Sequence, residues 1–410
     1  MSNPGDIQVS SFTIKTASGT LDLTYSFVSA SIYESIFTPG IVMYVKVLDT
    51  DDQVGIHKIV GGEPVSISLG IPGGVKANYK FTVMQNDNTV GATASMKSKM
   101  YMLKMVSDEV IHGHINTTIK SADTQISNLV QQIHKDLLHS TKNLIVEDTQ
   151  GNQHLSLNGG MSAHEAIAMI RKRAMSAENK SSLFVFFETR QDSETVFKFS
   201  TIENLFKGDS VKTFQQSDAI NSSIYNQTDN QIIAIEIPTH FNTMERIKKA
   251  ASDVIEFDYT TWQYTKKRIV SNPTDYTTGG TGNMISADVF DKFINAAKNL
   301  PQLFVPTDNY KRAVTHIPEK IQDRNSYLST LSQNSIKIRT YGDLAIKAGD
   351  VITLNIPTRS STTDNKKNDS QLSGKFLVSR IHHDIGLVSE SPRYTCVIEC
   401  IKGNIETGVQ

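Results

Sequence analysis

The chain has 410 residues, with 41 Lys+Arg against 42 Asp+Glu and a formal net charge of -1. That length suggests two to four folding units, and the charge balance argues against a whole-chain electrostatic binder of DNA or of an anionic membrane. Hydrophobic residues make up 38%, enough for ordered cores. No run approaches the ~18 consecutive apolar residues of a membrane span, and Met1–Asp6 is polar rather than leader-like.

Residues 1–118 read as β. Leu21, Leu23, Tyr25 and Phe27 alternate with Asp22, Thr24 and Ser26, the period of two of a half-buried strand. Ile41–Leu48 follows the turn pair Pro39-Gly40, and Val65–Leu69, Tyr79–Met84 and Lys99–Val106 come after it. Strands with such short connections predict a small antiparallel barrel or sandwich.

Over 119–210 the period changes. Ile126, Leu129, Val130, Ile133, Leu137 and Leu138 share one helical face. Ser162 and Glu165 have capping-box spacing ahead of Ala166, Ile167 and Ile170. A strand at Ser182–Glu188 and its return at Thr195–Ser200 make this a small α+β unit. Farther on, Ser271–Asn283 reads as a loop, Asp288–Asn299 as a short amphipathic helix, and Tyr327, Leu328 and Leu331 as a further helical turn or two. Strands return with Ile352, Leu354 and Ile356, then Phe376–Ile381 and Tyr394–Ile401, around a polar loop at Thr358–Ser373.

A weak duplication organises these pieces. Gly62-Glu63 precedes Val65-Ser66-Ile67-Ser68-Leu69 and Pro72, while Gly349-Asp350 precedes Ile352, Leu354, Ile356 and Pro357. Lys80-Phe81-Thr82-Val83 answers Lys375-Phe376-Leu377-Val378, and Lys99-Met100-Tyr101 answers Pro392-Arg393-Tyr394. Because β proteins reuse turn chemistry, the common order carries the repeat rather than any single match. The expected fold is α+β, mainly β: two similar antiparallel β-barrel, tube-like domains with α+β inserts between and within them. The first barrel spans 1–118 and the α+β insert 119–210. The second barrel is discontinuous over 211–260 and 335–405, interrupted by a loop and helical segment at 261–334, with 406–410 as a tail.

Catalytic chemistry is sparse. His382-His383-Asp384 lies in a strand reading, where neighbouring rings diverge. His112 and His114 would share a strand face, yet no third ligand sits at useful spacing. Gly70–Gly74 contains Pro72 and precedes no helix, so it reads as a turn rather than a phosphate loop. Arg171-Lys172-Arg173, on a helix, and Lys266-Lys267-Arg268, near a loop, read as solvated faces or partner contacts. Cys396 and Cys400 fall four residues apart on one strand, too far for a disulfide and best read as buried thiols. No catalytic, cofactor-binding or metal residue is assigned, no cofactor is expected, and the chain does not read as an enzyme.

Three segments carry a family resemblance. Asp343-Leu344-Ala345-Ile346-Lys347-Ala348-Gly349-Asp350-Val351-Ile352, Gly374-Lys375-Phe376-Leu377-Val378-Ser379-Arg380-Ile381-His382-His383 and Tyr394-Thr395-Cys396-Val397-Ile398 resemble the closing strands of baseplate hub proteins of contractile-tailed bacteriophages. That family is related to late-control D proteins and to the base of VgrG. Ala163-His164-Glu165-Ala166-Ile167 followed by Leu183-Phe184-Val185-Phe186-Phe187 resembles its helix-then-strand insert. The resemblance implies a homotrimeric, pseudo-sixfold ring that adapts a sixfold tail tube to a threefold central spike and passes DNA as cargo. The implied partners are further copies of the chain, the tail tube protein, a separate spike protein, the tape measure protein and other baseplate proteins, in a virion tail baseplate assembled in the host cytoplasm. No membrane anchoring is implied. The alternatives are another tail or secretion-tube component, or a soluble enzyme or carbohydrate-binding module. The two matched segments are expected in separate sheets related by a pseudo-sixfold rotation; one continuous sheet would defeat the adaptor reading and leave a generic baseplate component.

Overall fold

Alternating apolar residues, broken by Gly, Pro and Asn turns, produce a chain dominated by strands. The computed structural model describes residues 5–88, 99–216, 230–237, 243–258, 261–270, 290–307, 317–333, 335–358, 368–369, 372–386 and 393–402. The first part comprises β1 (Gln8–Thr16), β2 (Gly19–Asp22), β3 (Phe27–Ser35), β4 (Val42–Asp49), the single turn α1 (Gln53–Ile56), β5 (Pro64–Gly70), β6 (Lys76–Asn88) and β7 (Lys99–Val106). Then come α2 (Asp108–Ile115), β8 (Thr117–Thr124), α3 (Ile126–Asp136), β9 (Leu144–Val146), β10 (Gln153–Ser162), α4 (Ala163–Ile170), β11 (Phe184–Gln191), β12 (Glu194–Thr201) and α5 (Ile202–Phe206). The last part holds β13 (Ser210–Gln215), β14 (Ile232–Glu236), α6 (Thr243–Ala250), β15 (Ala251–Asp258), β16 (Gln263–Val270), β17 (Gln302–Thr307), α7 (Ile317–Gln333), β18 (Ser335–Tyr341), β19 (Val351–Asn355), β20 (Gly374–Gly386) and β21 (Arg393–Ile401).

Thirteen strands form one sheet in the order β14-β18-β21-β20-β3-β4-β7-β6-β5-β1-β2, with β19 beside β20 and β13 beside β19. This corrects the expectation of two separate barrels, since the described residues contain no closed barrel. The cause is the length of β20. Residues Gly374–Leu377 pair with β19, and the rest of that edge, Arg380–Gly386, pairs antiparallel with Ser29–Ser35 of β3. One apolar core runs beneath both halves, from Phe12, Ile32 and Leu103 to Ile338, Leu354 and Ile398.

The insert has its own core. Ile126, Leu129, Val130 and Ile133 of α3 pack with Ala166, Ile167 and Ile170 of α4 against Phe184, Phe186, Phe197 and Phe199. The capping box at Ser162 and Glu165 is formed in both directions. Apart from the sheets β10-β8 and β11-β12-β9 of the insert, a separate three-stranded sheet has the order β16-β15-β17. Its hairpin runs across the boundary drawn at 260, because Ala251–Asp258 pairs with Gln263–Val270. Lys266-Lys267-Arg268 therefore lies on a strand, close to its end at Val270.

The helix expected over 288–299 is a π-helical turn at Phe290–Asn295, while Tyr327 and Leu331 belong to the 17-residue α7. Those two side chains are buried against Leu183, Val185 and Phe187 of the insert. The loop at 271–283 and most of that at 358–373 lie outside the described residues.

Candidate assembly site

The repeat reappears as a shared strand order. In the first half, β1, β3, β4, β5, β6 and β7 are arranged β1-β5-β6-β7-β4-β3, and in the second β13, β14, β18, β19, β20 and β21 are arranged β13-β19-β20-β21-β18-β14. Val65 lies opposite Phe81 and Ile352 opposite Phe376, so Val65 and Ile67 correspond to Ile352 and Leu354. The Gly62 amide donates to the Val83 carbonyl (2.7 Å) and the Gly349 amide to the Val378 carbonyl (2.9 Å). Both glycines have positive φ, 93° and 89°, the backbone region that glycine tolerates. The Val83 and Val378 amides donate in turn to the Glu63 and Asp350 carbonyls.

Two bulges are matched as well. Each ladder slips just after the valine, between Val83 and Gln85 and between Val378 and Arg380. A second pair lies between Phe27 and Ser29 of β3 and between Ile232 and Ala234 of β14. Bulges are built features that set twist and register. The ladder also corrects one sequence match. Leu103 pairs with Asn86 and Ile398 with Ile381, so Tyr101 corresponds to Cys396 and Tyr394 to Lys99. The halves differ at one end, where β1 is antiparallel to β5 but β13 is parallel to β19.

These equivalences single out two edges. Within the chain, β3 joins β20 beyond its bulge. The counterpart of β3 is β14, the last strand at its end of the sheet. The counterpart of the joined part of β20 is β6 beyond Val83, where no strand lies on the β5 side among the described residues. Ile32 pairs with His383 at the existing junction. Carrying that register across places Ile237 opposite Asn88.

The existing junction is braced by a buried polar cluster. Glu34 of β3 accepts from Arg190 Nε at 3.0 Å, and Arg190 Nη1 and Nη2 donate to the Leu344 and Ile346 carbonyls at 2.6 and 2.9 Å. The Ala348 amide reaches Glu34 Oε2 at 3.3 Å, and Thr189 Oγ1 donates to the Ala348 carbonyl. Burial opposes the Arg190 charge, but Tyr79 and Glu34 beside it hold its pKa above the ordinary value. His383 is fully buried against Tyr394 OH at 2.8 Å, and burial together with Arg190 keeps it neutral. Nearby, Glu188 accepts from Lys142 (2.7 Å), from the Ile41 amide (3.1 Å) and from Ser107. Burial pushes the Glu188 carboxyl up, while Lys142 stays charged between Glu188 and Glu109. Sequence reasoning missed these residues. Their signal was a charge at an inward position: Glu34 continues the phase of Ala30 and Ile32, and Arg190 that of Phe186 and Glu188.

The opposite face of the eight strands β14-β18-β21-β20-β3-β4-β7-β6 is solvated. Cross-strand rows place Lys46, Lys104, Lys337, Arg339 and Arg380 among Asp87, Glu236, Asp384 and Glu399. Lys337 pairs with Glu236 and Arg380 with Glu399. Tyr33 stacks on His382 at 4.3 Å between ring centroids. A concavity of about 670 Å³ opens here beside Tyr33, Arg380 and His382.

No protein-family model matches this chain, and no curated protein does. Solved structures do. A tail protein from Neisseria meningitidis MC58 superposes with a TM-score of 0.57 at 7% identity, over 96% of this chain and 97% of the other. The 43 kDa tail protein of prophage MuSo2 from Shewanella oneidensis gives 0.57 at 9%, over 97% and 99%. The fold is that of phage tail proteins. The E. coli c3393 protein, described as a type VI secretion component structurally similar to the T4 tail proteins gp27 and gp5, gives 0.50 at 5% identity, over 98% and 79%.

Within this tail-protein fold the other sequence candidates are dispersed. His112 and His114 lie on helix α2, not on a strand. They meet different partners: His112 packs on His139 and His114 on His164. Among the described residues, no three His, Cys, Asp or Glu converge on a metal position. His382 and His383 diverge as read, one to the solvated face and one into the core. Gly70–Gly74 is the β5–β6 turn, closed by Gly74 N–H to the Ile71 carbonyl. Cys396 and Cys400 are free and buried, and burial raises the Cys396 thiol to about 12. Lys266 and Arg268 are both held by Asp253, and Lys267 by Glu319.

Proposed function

We propose that three copies of this chain close head to tail into a pseudo-sixfold ring, a hub that adapts a sixfold tail tube to a threefold spike. The observation that carries the reading is the pair of matched edges. β14 and the far end of β6 are the counterparts of β3 and β20, which already pair within the chain. A heterologous contact closes into a ring when its rotation allows. Three chains with two half-sheets each give six positions joined by one kind of junction. The sequence reading held that one continuous sheet would defeat the adaptor; here the continuity is reread as the linkage itself. The half-sheets then take the place of separate barrels, one within 1–118 and the other within the discontinuous 211–260 and 335–405, around the insert at 119–210.

In this ring the solvated face lines the channel. Among the described side chains, the Lys and Arg named above stand among Asp and Glu in the cross-strand rows, so DNA passing as cargo meets no continuous basic band that would hold it. The role is structural rather than enzymatic, within a virion tail, with the tube protein, a spike protein, the tape measure protein and other baseplate proteins as neighbours.

Cysteines at the predicted contact test this. Opposed antiparallel residues stand about 4.5–5.5 Å apart at Cα, within disulfide reach. Asn88→Cys with Ile237→Cys is expected to give a covalent trimer on a non-reducing gel, each single variant none. A double variant that stays monomeric under oxidation would leave only a generic tail or secretion-tube component.

A further inference from the structure

The β16-β15-β17 unit carries an aromatic face that the ring does not explain. Phe257 of β15 pairs across the ladder with Tyr264 and stacks near Phe304 of β17, with ring centroids 6.3 Å apart. Trp262, at the hairpin tip, meets Phe257 edge-on at 6.1 Å. Trp262, Tyr264 and Phe304 are 80, 74 and 60% exposed. Aromatic side chains bury roughly 150–250 Å² each, so the platform offers several hundred Å², the size of patch that marks an interaction site.

The opposite face is already used. Val254, Ile269 and Val305 pack there against Ile321 of α7. Arg324 of α7 donates to the Ser182 and Phe184 carbonyls (3.0 and 2.9 Å), fastening the unit to the insert. The aromatic face is thus mounted on α7 and lies on the side opposite the one packed there. Its cations are occupied, Arg268 and Lys266 sharing Asp253 at 3.0 and 3.4 Å. Little charge remains for phosphates, so apolar contact with protein is favoured over nucleic acid.

The chain path indicates which protein. The whole unit is inserted between β14 and β18, the two outermost strands at the end of the sheet that the ring reading leaves open. Only six residues separate Glu236 from Thr243. We infer that this aromatic platform docks on the neighbouring copy of the chain, extending the edge-to-edge contact into an apolar one. The inference rests on the ring reading and adds a second surface to it.

Trp262 is the only tryptophan and reports on its own burial. As the chain is concentrated from nanomolar to micromolar, light scattering follows assembly while Trp262 emission and acrylamide quenching are recorded. A blue shift and a several-fold smaller quenching constant, both tracking trimer formation, are expected. A trimer whose Trp262 stays as quenchable as in the dilute monomer would overturn the inference and leave the ring standing. A chain that remains monomeric throughout would overturn both. Trp262→Ala with Phe304→Ala is expected to raise the assembly concentration roughly tenfold or more. Added to the Asn88→Cys, Ile237→Cys background, the same pair of changes should still allow the engineered disulfide to form at high concentration. An unchanged assembly concentration counts against the platform.

Discussion

Arg190 Nε stands 3.0 Å from Glu34 Oε1, joining strands 156 positions apart, and neither side chain reaches solvent. Glu34 belongs to the first half-sheet, Arg190 to the insert, and the carbonyls that complete the Arg190 fork to the connection ahead of β19. Three parts of the chain therefore meet on one ion pair.

Removing one partner leaves a buried charge without compensation, typically about 3–5 kcal/mol. Arg190→Met is expected to cost that much in urea unfolding. Pairing it with Glu34→Gln should cost clearly less than the sum of the two single changes. Additive losses would show that the two residues act independently.

Gly342 is a close-approach position. A Cβ there would stand 2.0 Å from Cγ of Tyr394, whose ring is buried and whose hydroxyl is held by His383. Gly342→Ala is expected to destabilise by about 1–3 kcal/mol or more, measured as a lower denaturant midpoint. An unchanged midpoint would mean that β21 can shift.

Asp350 gives a pH signature. Burial raises its carboxyl to about 6, against the opposing pull of Lys347. Between roughly pH 4 and 6 the folded chain keeps a proton that the unfolded chain releases, so this group's contribution falls as pH rises through that window. The full effect is at most about 3 kcal/mol. Asp350→Asn should remove it, leaving the variant more stable than the parent at pH 7 and nearly equal at pH 4. Parallel stability curves for the two proteins would contradict this.

The chain is expected to need no metal. EDTA should leave the melting midpoint unchanged. A drop restored by zinc would contradict that and direct attention to His112, His114 and their partners His139 and His164.

Local elements were legible because their signals are local. The alternation of Val65, Ile67 and Leu69 with serines, the spacing of Ser162 and Glu165, and the apolar face of α3 each need only a few neighbouring residues. The β3–β20 junction spans some 350 positions and leaves no local trace. The two-residue error at Tyr101 and Tyr394 has the same root, since a slip of two keeps every side chain on its own face. The β15–β17 sheet went unread because Gln263–Val270 is rich in Lys and Arg and almost fully exposed. Of the site, the Gly-acid turn and the Lys-Phe-x-Val strand were visible, whereas the inward-phase charges Glu34 and Arg190 went unread because their partners lie about 155 positions away.

Mass and shape of the purified chain in solution test the ring most directly. Light scattering with electron-microscope projections is predicted to give three times the 45.4 kDa of one chain and a closed ring with six similar lobes and threefold symmetry. A monomer, a twofold dimer or an open filament would contradict it.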